Sequence, residues 1–168
     1  MTVRFFMLQS HYSSTLDFSN EALSSAEKGF RKLVNALVTL KNLTYPEGQK
    51  SNSTLDTELN RLGDECYLNM SDDFNTVKTL AVLFEMSARI NDMKSGNLPF
   101  SNFSLEAFTS FKSTYIGFME NVLGLKEEKE QDDELLNGTI NVLIELRKKA
   151  RTDKNFALSD KIRDDLKA

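Results

Sequence analysis

Leu23, Ala26, Phe30, Leu33, Leu37 and Leu40 follow one another at steps of three and four residues. That spacing keeps six apolar side chains on one stripe of a long helix, whereas in a strand it would scatter them over both faces. The same steps return in Leu55, Leu59, Leu62 and Cys66, at positions 80, 83, 84, 87 and 90, and in Phe108, Phe111, Tyr115, Phe118 and Val122. No segment of useful length alternates with a period of two, and there is no internal repeat and no Gly-rich phosphate loop. The chain is therefore predicted to be all-α, an antiparallel helical bundle with a C-terminal helical hairpin. In that hairpin Leu136, Ile140, Leu143 and Ile144 form one face and Leu158, Ile162 and Leu166 the other, across a short polar connection from Arg151 to Asn155.

Local signals place the helix ends. Ser19 is an N-cap candidate with Glu21 in the first turn, and Pro46 and Gly48 end the helix that follows. Ser53-Thr54-Leu55-Asp56 fits a capping box in its Asp variant, opening a helix that ends near Asn69. Asp73 to Thr76 start the next helix, and Gly96 is its natural C-terminal stop. Residues 97–102 read as a loop, and Gly124 closes the aromatic helix beyond it. Near the N-terminus Phe5, Leu8 and Tyr12 share one helical face, with His11 at the end of that helix. An acidic run from Glu127 to Glu134 precedes the hairpin, giving three segments: 1–18, 19–125 and 126–168.

Composition narrows the function. The 168 residues are 40% hydrophobic and 27% charged, enough for a real core, and no apolar run is long enough to span a membrane. No signal-peptide segment is visible either, so a cytoplasmic protein with no membrane partner is expected. The one cysteine, Cys66, has no partner for a disulfide or a metal site and reads as a small core residue. The one histidine, His11, has no second ligand or nucleophile near it in sequence, so it reads as a hydrogen-bonding residue; no catalytic and no metal-binding residue is assigned. A net charge of −4 argues against a general nucleic-acid coat and against DNA as a partner.

Three blocks, in order, carry a family resemblance. They are Arg4-Phe5-Phe6-Met7-Leu8 with His11-Tyr12 and Leu16-Asp17-Phe18-Ser19; Asp72-Asp73-Phe74-Asn75-Thr76 with Ala81-Val82-Leu83-Phe84; and Ala150-Arg151, Lys154, Phe156-Ala157-Leu158, Asp160 and Ile162-Arg163-Asp164. Together they resemble the part of cysteinyl-tRNA synthetases that follows the catalytic core. The family's H-I-G-H and K-M-S-K-S sequences and its zinc ligands are absent from this chain, which thus looks like a C-terminal portion. Val77 stands where the family usually has proline, and Phe156 where Trp is common.

The resemblance implies that 1–18 is a remnant following the catalytic core, 19–125 a helical bundle domain, and 126–168 an acidic linker with a truncated anticodon-binding hairpin. It implies a parent enzyme that ligates cysteine to its tRNA with ATP and magnesium, carrying zinc in its core, while this chain alone is non-catalytic and holds no cofactor. The expected partners are the cysteine tRNA and that missing core.

The expected RNA-binding residues are Arg147, Arg151, Lys154, Phe156, Asp160 and Arg163. Guanidinium forks suit phosphates and guanine edges, a ring offers a stacking face, and a carboxylate accepts from cytosine N4. Each residue also has a plainer reading: Phe156 as the packed hinge of the hairpin, Asp160 paired with Arg163 or Arg151, and Arg163 facing solvent. Two other classes stay open on residues alone, a stand-alone helical RNA-binding or protein-interaction module, and an independent enzyme, against which the lack of a catalytic constellation counts.

Overall fold

The computed structural model describes residues 1–126, 133–153 and 155–165, without side chains at 133–137, 139, 140 and 163–165. It divides into two compact units, Met1–Glu127 and Glu128–Ala168. Every regular element among the described residues is helical, as the apolar spacing requires.

In the first unit α1 (Thr2–Leu8) lies against α2 (Asn20–Asn42) and α4 (Thr76–Ser95), while α3 (Asp56–Ser71) packs on α4 and on α5 (Leu105–Gly117). The stripe on α2 is buried from Ala26 to Leu40, and Leu80, Leu83 and Ile90 of α4 meet it. Each such aliphatic side chain contributes about 1.5–3 kcal/mol when removed from water. Phe5 is wholly buried, its ring 5.9 Å from that of Phe30 and 6.3 Å from that of Phe84. A second aromatic cluster of Tyr45, Phe100, Phe103 and Phe108 closes the far end, and the Tyr45 hydroxyl donates to the Phe103 carbonyl at 2.8 Å.

The helix ends follow their sequence signals in most places. Ser19 accepts from the Ala22 N–H at 3.1 Å, and Gly96 stops α4 with φ 81°. Lys112 reaches from α5 to donate to the carbonyls of Leu43 and Lys41, occupying acceptors that the end of α2 leaves open.

Two expectations are corrected, and one gains a detail. Ser53 does not cap α3: it has φ 54°, Leu55 occupies the cap position, and the Asp56 carboxylate accepts from the Ser104 N–H at 2.7 Å. A long-range donor thus displaces the local box. Gly124 does close the aromatic helix, though not as a regular α-helix to its end. The regular helix ends at Gly117 and widens into a π turn over Phe118–Val122, which lets both Phe118 and Met119 be buried. Gly124 then takes φ 62°, with the Arg4 guanidinium where its Cβ would be and Arg4 Nη1 donating to its carbonyl at 3.3 Å. Finally, Tyr12 is not on the α1 face, because that helix stops at Leu8 and Tyr12 is exposed.

The second unit consists of α6 (Asp133–Thr152) and α7 (Phe156–Asp165) packed on each other.

Candidate nucleic-acid interface

The connection between α6 and α7 is short and tightly bonded. The Asn155 N–H donates to the Ala150 carbonyl at 2.8 Å, and the Asn155 side chain accepts from the Leu158 N–H at 3.2 Å. Asn155 is thereby the N-cap of α7 that its residue type predicts. Ala150 and Ser159 are the side chains buried most deeply among the described residues of this unit. Both are small, so the two helices approach closely at the turn.

Larger groups point outward. Phe156, the first residue of α7, is 62% exposed, which removes the reading in which it is the packed hinge. Arg151 and Asp160 are exposed, and Asp160 follows Phe156 by one helical turn. Arg147 stands one turn before Arg151 and is half-buried, with its Nε enclosed and without a hydrogen-bond partner. Lys148 pairs with Glu145 at 2.8 Å, both well exposed, a contact of under about 1 kcal/mol. Lys154 lies outside the described residues; Arg163 is in α7, but its side chain is likewise outside them. Arg147 and Arg151 thus lie near the end of α6, and Phe156 and Asp160 on the first turns of α7, on the two sides of the connection.

No group of three His, Cys, Asp or Glu is placed to hold a metal ion among the described residues. Cys66 is buried, and burial pushes its thiol up to about 12, so it is neither a thiolate ligand nor a nucleophile at neutral pH. No described helix is long and apolar enough to cross a membrane.

The first unit holds a feature that sequence reasoning located but did not interpret. Asp72-Asp73-Phe74-Asn75-Thr76 is more than a helix start. Asp73 and Phe74 both adopt left-handed backbone, at φ 53° and 52°. Asn75 then caps α4 by accepting from the Lys78 N–H at 3.1 Å. The Tyr12 hydroxyl donates to Asp73 Oδ1 at 2.7 Å, and this bond, with the charge of Asp73 next to it, raises the Tyr12 phenol above its ordinary value. His11 Nε2 lies 3.9 Å from the other Asp73 oxygen. Nothing local in sequence marks a partner 61 residues away.

Residues 67–127 match the DALR domain family. Over 97% of its length the chain is 40% identical to the cysteine–tRNA ligase of Cytophaga hutchinsonii, and over 100% it is 42% identical to that of Bacteroides thetaiotaomicron. It is also 33% identical over 98% to the one from Chlorobaculum tepidum. This chain is kin to the cysteine–tRNA ligases, and it carries their DALR domain. It spans about a third of the length of these relatives. The DALR domain takes in the end of α3, the Asp72–Thr76 turn, α4, α5 and the π turn. The α6–α7 turn falls outside it, although the whole-length similarity to the ligases continues through that turn.

Proposed function

We propose that this chain is the tRNA-binding portion of a cysteine–tRNA ligase, whose full polypeptide activates cysteine with ATP and joins it to the 3′ end of its tRNA. Whole-length similarity to cysteine–tRNA ligases carries this reading. The ATP-magnesium site and the zinc belong, on this reading, to the part of the polypeptide outside this chain. The protein acts in the cytoplasm, with the cysteine tRNA as its nucleic-acid partner.

The α6–α7 turn engages the anticodon stem-loop. Arg147 and Arg151, with Lys154 and Arg163, supply charge for phosphates or guanine edges; Phe156 offers a stacking face to an unpaired base; Asp160 accepts from an exocyclic amino group. The exposure of Phe156 beside Arg151 supports these roles, because an exposed ring at a basic turn stabilises no core and is available to a base.

The test is aminoacylation by the full ligase carrying Arg151→Ala, using wild-type and anticodon-substituted tRNA. A base-specific contact costs roughly 1–3 kcal/mol and leaves the variant less sensitive to the anticodon. Cysteine activation without tRNA stays at the wild-type level. If both efficiency and anticodon discrimination survive in Arg151→Ala and in Asp160→Ala, the turn is structural.

A further inference from the structure

The Asp73–Phe74 turn spends free energy to expose an aromatic ring. Left-handed backbone costs a residue with a Cβ roughly 1–2 kcal/mol, and here two in succession adopt it. The pair is held in place by main-chain bonds from the Phe74 N–H to the Met70 carbonyl (3.2 Å) and from the Asn75 N–H to the Asn69 carbonyl (3.1 Å). From the other side Tyr12 holds the Asp73 carboxylate. In return Phe74 gains little packing within the chain: it remains 69% exposed. Tyr12, 70% exposed, and Leu68, 65% exposed on the last turns of α3, extend the apolar surface. The bonded turn accounts for the backbone, but not for the ring: a large aromatic side chain fixed in the open beside other exposed apolar side chains points to a contact outside the chain.

The charge around the ring selects the kind of partner. Asp64 precedes Leu68 by one turn of α3 and Asp72 follows at the helix's C-cap, so exposed carboxylates stand on both sides of Leu68 in sequence, and Asp73 adds a third next to Phe74. Lys78 is already engaged with Asp72 at 3.1 Å. An RNA backbone is repelled by such a surface. A Lys or Arg side chain fits it, lying over the Phe74 face with its charge near the Asp73 carboxylate.

We propose that Phe74, Tyr12 and Leu68, flanked by Asp64 and Asp72, form the docking surface for a cationic segment of the catalytic part of the same ligase. The inference rests on the reading of this chain as one portion of that enzyme, whose relatives have about two thirds of their length outside the region matched here. The occupant is a polypeptide already tethered to this chain, so a small patch suffices, because tethering raises the effective concentration of the segment.

Cysteine-scanning in the full ligase polypeptide tests this. Cys66 is buried and its thiol is held protonated, so it stays silent to maleimide. Phe74→Cys and Leu68→Cys are each labelled with an uncharged maleimide in this chain alone and in the full polypeptide, with Ser24→Cys on the exposed face of α2 as the control. Docking predicts that both patch variants react at least about tenfold more slowly in the full polypeptide without tRNA, since reaction then waits on opening of the interface, while the control is unchanged. Asp72→Lys added to either variant restores the fast rate. Equal rates in the two contexts overturn the proposal. Protection that appears only when tRNA is added overturns it as well, and assigns the surface to RNA. Aminoacylation by the unsubstituted full polypeptide keeps the two readings apart: a competent ligase with freely labelled patch variants sinks the docking surface alone, whereas an incompetent one sinks the reading beneath it.

Discussion

The Tyr115 hydroxyl donates to the main-chain carbonyl of Leu33 at 3.1 Å, joining α5 to α2 across 82 positions of sequence inside the core. Burial pushes the phenol well above its ordinary range, so the donor is present at neutral pH.

Tyr115→Phe removes one donor and keeps the ring. Leu33 sits in the middle of α2, where its carbonyl also has a helical partner, so the loss is that of a single buried hydrogen bond, about 1 kcal/mol. Tyr115→Ala empties a fully buried site and costs about 3–5 kcal/mol. Urea unfolding of the two variants separates the contributions. A Tyr115→Phe variant as damaged as Tyr115→Ala would show that the hydroxyl, rather than the ring, dominates.

Asp56 gives the fold an acid sensitivity. Partial desolvation works to raise its carboxyl, but hydrogen bonds from the Ser104 N–H and from the Ser104 and Ser53 hydroxyls outweigh that, leaving it below the ordinary carboxylate value. A depressed folded-state value means that the stabilisation is fully present above the unfolded-state value of about 3.9 and is lost as pH falls through the folded one. Asp56→Ala therefore lowers stability by about 1–2 kcal/mol at pH 7, the worth of hydrogen bonds to a charged group at a partly exposed site. The gap between variant and wild type narrows below pH 4. Denaturation midpoints of both proteins at pH 7 and pH 3 check the sign, and a gap that widens at pH 3 contradicts it.

Phe156 separates folding from binding. Because the ring is mostly exposed, Phe156→Ala changes thermal stability by less than about 0.5 kcal/mol. If the ring stacks on a base, the same change weakens tRNA binding by about 1–3 kcal/mol, and Phe156→Trp retains or strengthens it. Filter binding at two salt concentrations distinguishes stacking from charge, since loss of a neutral ring leaves the salt slope unaltered. A large fall in melting temperature would mean that the ring is part of the fold after all.

These contrasts show which information was local. Helices α2 and α4 were readable because their apolar stripes, the Ser19 cap and the Gly96 stop are all written within a few residues. The start of α3 was not, because Asp56 is claimed by Ser104, a residue 48 positions later that no window around Ser53 contains. The π turn likewise answers to burial of Phe118 and Met119 in the assembled core, not to any breaker residue. At the candidate interface, residue types were enough to nominate the α6–α7 turn, and the cap at Asn155 followed from its sequence. Exposure of Phe156 and enclosure of the Arg147 Nε were not legible, since residue type does not say which side chains the packing of α6 on α7 covers. The left-handed pair at Asp73 and Phe74 was hidden for a similar reason: its anchor, Tyr12, comes from the far end of the first unit's sequence.

The contact between Arg4 and Gly124 has a bearing on modularity. One residue is the fourth of the first unit and the other lies within a few places of its end, so the unit's entry and exit are neighbours in space. A body with adjoining ends can be spliced into a longer polypeptide or lifted out of it with only a short suture, and its order of segments can be rotated without redesigning the interior. Joining residue 126 to residue 1 through a few glycines and reopening the chain in the Pro46–Lys50 turn makes such a permutant.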